Sequence, residues 1–444
     1  MYHADWINME DELAGYEEMV TSFYDPNKRH AEPNRNRDSV NKYLGTHQRS
    51  VEAFSAEPYY GELLAWSVQS VTSLPGWKTT LVRGHTYDEP IFRDIKTDYA
   101  NKESCLVNGQ MLMRKDDIRL VVNVTVGREI ASVQMEAARE HQEIVKQLIK
   151  DIEDYLKGHN FYQGKKLCFD GQISFLTTRE KSWDSVILDP AMKQLIRLNT
   201  IGFLKHCKVT ANYGIPSRRG IILNGEPGVG KTAVCKALIS EASDITCIIT
   251  NAYGMLRSGY ISDLFDIARD LAPSMVFLED LDLIGQERQG FYRGTPPLIE
   301  LLAEMDGIQE KTAIVTIATT NCIETLDEAL SQRPSRFDWV CKIPRPDYQR
   351  RIEMLNFLAT KIPLSEDNIE YIAKKTEGFT PAQLQEVPHF MVIAQIDKAN
   401  IVTEFSQEDI NTAISQVNFK KSGAMGFSAL PIIYSGVNQN RQQQ

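Results

Sequence analysis

Residues Gly220-Ile221-Ile222-Leu223-Asn224-Gly225-Glu226-Pro227-Gly228-Val229-Gly230-Lys231-Thr232-Ala233, followed by VCKALISEA, decide how this chain folds. An apolar strand-like run, a glycine-rich turn and a helical pattern stand there in that order. Residues 225–232 fit G-x-x-x-x-G-K-[ST], the pattern of a phosphate loop. Glycines let successive backbone N–H groups curl round a phosphate where a side chain would collide. The helix that follows turns its positive end toward the same anion. The pattern implies ATP as the ligand, cradled by Gly225, Glu226, Pro227, Gly228, Val229, Gly230, Lys231, Thr232 and Ala233. In that reading Lys231 supplies charge to the β- and γ-phosphates and Thr232 offers its hydroxyl to Mg²⁺.

Working outward, apolar runs alternate with amphipathic helical segments: GIILN, TCIIT, MVFLED, AIVTIATT and WVCKIP. Such alternation predicts an α/β domain over 166–346, a parallel five-stranded sheet with helices on both faces. From 347 to 420 helical patterns take over, predicting a small helical lid domain, and 421–444 is polar enough to predict a flexible tail. Residues 1–165 are expected to form a separate α+β domain. Within it SCLVNGQMLMR and DDIRLVVNVTV read as β-rich runs. A helix is expected over roughly 131–157, carried by Val133, Ile144, Leu148, Ile152 and Leu156. PNKRHAEPNRNRD reads as an exposed loop.

A site of this type also needs carboxylates, for Mg²⁺ and for the attacking water. Met275-Val276-Phe277-Leu278 ends in Glu279-Asp280, and acids at the carboxyl end of a parallel strand face the ligand crevice. By position Glu279 is the metal-facing acid and Asp280 the base. Asp280 is one methylene shorter than the glutamate usual there, so a slow or silent hydrolase stays open as an alternative.

Bulk composition narrows the partners. The net charge is −10, with 49 Lys and Arg against 59 Asp and Glu, which argues against nucleic acid, since phosphate binding draws on excess cations. The seven cysteines show no C-x-x-C spacing, which suits a reducing compartment. No apolar run approaches the roughly 20 residues of a membrane span, and the acidic, aromatic start resembles no targeting segment. The expected location is cytoplasmic.

With both motifs placed, about half the chain resembles an AAA ATPase module of the core AAA group. Leu264-Phe265, Ala268-Arg269 and Ala272-Pro273 resemble the family's helix leading into the acidic strand. Leu301-Leu302-Ala303-Glu304-Met305-Asp306-Gly307 and Ala318-Thr319-Thr320-Asn321 match its next helix and strand. Ala329-Leu330 and Arg333-Pro334-Ser335-Arg336-Phe337-Asp338 match its second region of homology, with Ser335 where the family usually has glycine. Gly378-Phe379-Thr380-Pro381-Ala382-Gln383-Leu384 matches its lid. The Glu-Asp order and Trp183-Asp184-Ser185-Val186-Ile187-Leu188-Asp189 are most similar to the Rieske-protein translocase branch and its bacterial relatives, here without that branch's membrane helix.

The resemblance implies further roles. Asn321 would hold the attacking water and sense the γ-phosphate. Arg333 and Arg336 would be arginine fingers completing a neighbouring subunit's site, which implies a homo-oligomeric ring, a hexamer by analogy. The bland alternative is that these arginines solvate a surface turn. Counting back from Leu264-Phe265 puts Tyr253 at the aromatic position that grips polypeptide in the ring's pore, with Tyr260 as a rival. A Tyr packed at the loop's base is the alternative.

The leading expectation is a ring motor that hydrolyses ATP to remodel, unfold or disassemble a protein client chosen by residues 1–165. Alternatives are a DNA-associated AAA switch and an ATP-gated scaffold with little turnover. DNA-associated branches usually carry a lid arginine, which Phe379-Thr380-Pro381-Ala382-Gln383 lacks. No H-E-x-x-H occurs, so a built-in metalloprotease is excluded on sequence, and a separately encoded protease or adaptor stays open as a partner.

Overall fold

The computed structural model describes residues 34–85, 89–177, 180–251, 253–286, 297–308, 312–324, 326, 336–399, 402 and 404–422. The chain divides into two compact units, Met1–Phe161 and Tyr162–Gln444.

The first unit is built on six antiparallel strands: β1 (Arg49–Ala56), β2 (Lys78–Arg83), β3 (Ile91–Lys96), β4 (Lys102–Lys115), β5 (Ile118–Val126) and β6 (Ala131–Ala138). They are ordered β1-β6-β5-β4-β2, with β3 also pairing β4. Helices Gly61–Thr72 and Gln142–Gly158 pack on this sheet and on each other. Two expectations are corrected here. The helix expected from about 131 begins only at Gln142, because Ala131, Val133, Met135 and Ala137 are buried at every second residue, the period of a strand. Part of the expected loop is the helix Asn34–Leu44, whose Val40, Tyr43 and Leu44 pack on Leu112 and Val121.

The second unit holds β7 (Lys166–Phe169), β8 (Ile173–Phe175), β9 (Arg218–Asn224), β10 (Thr246–Asn251), β11 (Ser274–Glu279), β12 (Ile314–Thr320) and β13 (Trp339–Lys342). Their order is β13-β9-β12-β11-β10-β7-β8. The five expected strands β9 to β13 are there and parallel, but the sheet has seven. Lys166–Phe169 runs parallel to β10 and turns back into β8. Leu167 and Phe169 are buried in that strand, whose apolar run Leu167-Cys168-Phe169 is too short to mark a sheet strand by itself.

Strands β11 and β12 are buried along almost their whole length, as strands covered on both faces must be. The helix Lys231–Glu241 supplies Val234, Ala237 and Leu238 to one core layer, against Leu223, Phe277 and Ile317. On the helix Tyr260–Asp270 Leu264, Phe265, Ile267 and Ala268 are fully buried, and that helix packs against β11 and the helix Pro297–Asp306. The chain order puts β9 between β12 and β13, so a crevice opens at the carboxyl ends of β9, β11 and β12.

The lid consists of helices Tyr348–Ala359, Glu366–Lys375, Pro381–Ala399 and Gln407–Ser422 around its own core of Leu355, Ile372, Leu384 and Ile410. Its third helix starts with a reciprocal cap. The Thr380 N–H donates to Gln383 Oε1 (3.0 Å) and the Gln383 N–H to Thr380 Oγ1 (3.3 Å), with Pro381 at the first helical position. Among the described residues no helix is long and apolar enough to cross a membrane. Residues from 423 onward, most of the expected tail, lie outside the described residues.

Close packing fixes where β13 begins. A Cβ on Gly220 in β9 would collide with the Arg336 carbonyl oxygen and lie 2.9 Å from Met305 Cε. Gly220→Ala must therefore push apart β9 and the segment entering β13, and is expected to cost about 2–3 kcal/mol of stability. An unchanged urea midpoint would contradict this packing.

Candidate active site

The carboxyl end of β9 delivers the chain into the glycine loop. Gly228 and Gly230 have φ of 84° and 103°, a left-handed conformation that a side chain would strain. At Gly228 the space is also taken, since a Cβ would come within 3.1 Å of Ala382 and Thr380 in the lid. The loop then turns into the helix Lys231–Glu241, whose first N–H groups are free for an anion.

Lys231 is buried to 7% exposure, and its ammonium group joins three elements. Nζ donates to the carbonyls of Gly225 (2.6 Å) and Glu226 (3.1 Å) and to Asn321 Oδ1 (2.8 Å). Burial lowers its pKa, with Asp280 and Asp282 opposing the shift. A cation so desolvated attracts a phosphate far more strongly than one in water.

The turn after β11 is clipped to the end of β12. The Asp280 N–H donates to Thr319 Oγ1 (3.1 Å), and Asp282 Oδ1 accepts from Thr320 Oγ1 (3.0 Å) and the Asn321 N–H (3.1 Å). Asp280 takes φ of 55°, a left-handed conformation that aspartate tolerates better than most residues. Asn321 Nδ2 stands 3.5 Å from Asp280 Oδ1. Lys231, Asn321 and Asp280 thus converge on one point. Asp282, which sets Asn321 in place, carries a role that the sequence reading did not assign. Its signal was a third acid two residues beyond Asp280.

Lys231, Thr232, Ala233, Asp280 and Asn321 line a cleft of about 490 Å³. Val186, Ile187 and Leu188 close one side and Met354, Pro381 and Ala382 of the lid another, so an apolar compartment adjoins the phosphate loop. That division suits a base beside a polyphosphate. Glu279 does not line the cleft. It is half-buried, and burial and Asp280 push its carboxyl pKa up while Lys236 opposes them.

Of the two candidate arginines, one lies among the described residues. Arg333 lies outside the described residues. Arg336 is held within the chain: its side chain is 4% exposed, and Nη2 donates to Asp306. Arg336 Nε and Nη1 and Arg219 Nε are buried with no hydrogen-bond partner among the described residues. These groups border a cavity of about 200 Å³ with Arg218 and Asp338, toward the amino-terminal ends of β9 and β13 and away from the phosphate loop. Of the two tyrosines, Tyr253 is 71% exposed, beyond β10. Tyr260 is core: its hydroxyl donates to the Phe169 carbonyl (2.6 Å) and its ring packs on Phe169.

The sequence profile of the "ATPase family associated with various cellular activities (AAA)" matches residues 221–345, from the middle of β9 to the edge of the lid. These residues form an AAA domain. The ATP-dependent zinc metalloprotease FtsH 3 of Synechocystis sp. is 34% identical over 228 residues, 49% of this chain and 36% of that protein. The proteasome-activating nucleotidase of Saccharolobus solfataricus is 32% identical over 233 residues, 49% of this chain and 58% of that protein. The chain thus matches about a third of the length of the first relative and little more than half of the second.

Within the AAA domain the Asp306–Arg336 pair generates a test. Arg336, with Arg218, holds the Asp306 carboxyl below its usual range, so the contribution is complete at neutral pH and is lost as pH falls through that depressed value. Asp306→Asn would leave a buried guanidinium without its counter-ion. The expected loss is about 2–3 kcal/mol, below that of a fully enclosed pair because Asp306 has one side in water. A urea midpoint unchanged at pH 7 would show that the pair does not hold this end of the sheet.

Proposed function

We propose that the chain is an ATP-hydrolysing motor that acts as a homo-oligomeric ring on a protein client. The observation that carries the catalytic part is the convergence of Lys231, Asn321 and Asp280 at the mouth of a cleft walled by the phosphate loop and the lid. In this reading Lys231 binds the β- and γ-phosphates. Asn321, held by Asp282, orients the attacking water, and Asp280 takes its proton. Thr232 would supply an oxygen donor to Mg²⁺, and Glu279, set back from the cleft, would face the metal through water; the metal would neutralise charge on the phosphates.

The far end of the sheet supports the ring. Buried cationic donors without an acceptor are costly, and those of Arg336 and Arg219 border a cavity remote from their own cleft. A phosphate presented by the next copy would supply the acceptor, so a head-to-tail ring explains an otherwise expensive arrangement. Six subunits is the expected number, by analogy with the family. The protein client rests on the relatives, whose names attach AAA domains to a proteasome activator and to an ATP-dependent protease. Tyr253, with 71% of its surface exposed, is the side chain offered for gripping polypeptide. A separately encoded protease or adaptor would be the partner.

Asp280→Asn is expected to bind Mg-ATP normally and turn it over at least ~100-fold more slowly. Mixing it with Arg336→Ala should recover part of the activity, because a mixed interface pairs an intact acid with an intact arginine. Phosphate release that Asp280→Asn leaves unchanged would remove Asp280 as the base. Two inactive variants that never complement would remove the ring.

A further inference from the structure

A cation that lies in neither the phosphate loop nor the lid helices joins the two. Arg345 lies in the segment 343–347, which leads from β13 to the first lid helix. Its Nε (3.0 Å) and Nη2 donate to the two carboxylate oxygens of Glu226 in the phosphate loop. Its Nη1 donates to the Gly378 carbonyl in the lid, at 2.6 Å. Four residues on, the Ala382 N–H donates to the carbonyl of Gly228, also in the loop, at 3.2 Å.

The geometry of this bridge decides what it can do. An isolated exposed ion pair contributes little to stability, and Glu226 is 56% exposed at its side chain. A guanidinium held by two parallel bonds to a carboxylate, however, has its plane fixed, and so has the direction of its third bond. That third bond ends on the lid. Any rotation of the lid about 343–347 must therefore break the Gly378 contact or carry Glu226 with it. The lid side chains Met354 and Ala382 border the same cleft as the phosphate loop, so the lid's angle sets how tightly that cleft closes.

We propose that Arg345 is a positioning residue that couples the phosphate loop to the lid, so that the loop's conformation around a nucleotide sets the lid's angle through Glu226. This rests on the reading that the cleft takes ATP.

The test uses the full chain with a donor and an acceptor dye on the exposed positions Lys208 and Lys361, one on the α/β domain and one on the lid. Energy transfer is read with and without a non-hydrolysable ATP analogue, and binding is followed in the same samples. At saturating analogue, Arg345→Gln and Glu226→Gln should each reduce the nucleotide-driven change at least about threefold, with Arg345→Gln still binding the analogue. The double variant should be no worse than either single one, because both remove the same contact. Arg345→Lys should behave like Arg345→Gln, since an ammonium cannot form the fixed fork. A full-sized change in either Gln variant, or losses that multiply in the double variant, would overturn the coupling. A wild-type chain that takes no analogue would overturn it together with the reading beneath it. A wild type that binds, with unaltered variants, would overturn the coupling alone.

Discussion

One buried ammonium group organises the working end of the second unit. Lys231 binds two carbonyls of its own loop and the side chain of Asn321, ninety residues further along the chain. Hydrogen bonds to a charged donor are each worth roughly 1.5–3 kcal/mol, so this cluster resists rearrangement. For it to form, β9 and β12 must end at the same level. Their register, with Asn224 opposite Thr320, does this. The turn after β11 must then present Asp280 to the same point, and Thr319 and Asp282 pin it there. The left-handed backbone at Asp280 is the local strain this convergence imposes.

The parts of this fold that the sequence disclosed are those whose physics is local. A phosphate loop is contiguous, and apolar runs such as MVFLE can be buried only between two helical layers. Residues Ala131, Val133, Met135 and Ala137 were missed because Val133 fits a helical period as well as an alternating one. The choice was made by pairing to β5 and β1, which no local pattern contains. The strand Lys166–Phe169 was hidden for a related reason: the run Leu167-Cys168-Phe169 is too short to mark a sheet strand without its pairing to β10.

The site divides the same way. Lys231 was legible because it closes a contiguous glycine-loop pattern and opens a helix, and Asp280 and Asn321 because each directly follows a recognisable strand. The partners that hold residues in place were not. Arg336 finds Asp306 from 30 residues away, and Arg345 finds Glu226 across 119. Neither spacing has a sequence signature, since long-range ion pairs depend on strand order alone. The same order accounts for a sheet with polar groups at both ends: the loop, acids and asparagine at one, buried arginines at the other.

The central claim is that the cation at the start of the helix Lys231–Glu241 is what the cleft uses to bind polyphosphate. Titration calorimetry of Mg-ATP against the wild-type chain and Lys231→Ala tests it most directly, with circular dichroism to establish that both are folded. The account predicts binding to the wild type and an affinity at least ~100-fold lower in the variant, about 2.7 kcal/mol, the scale of one lost charged contact to phosphate. A folded Lys231→Ala chain that binds Mg-ATP as tightly as the wild type would contradict it.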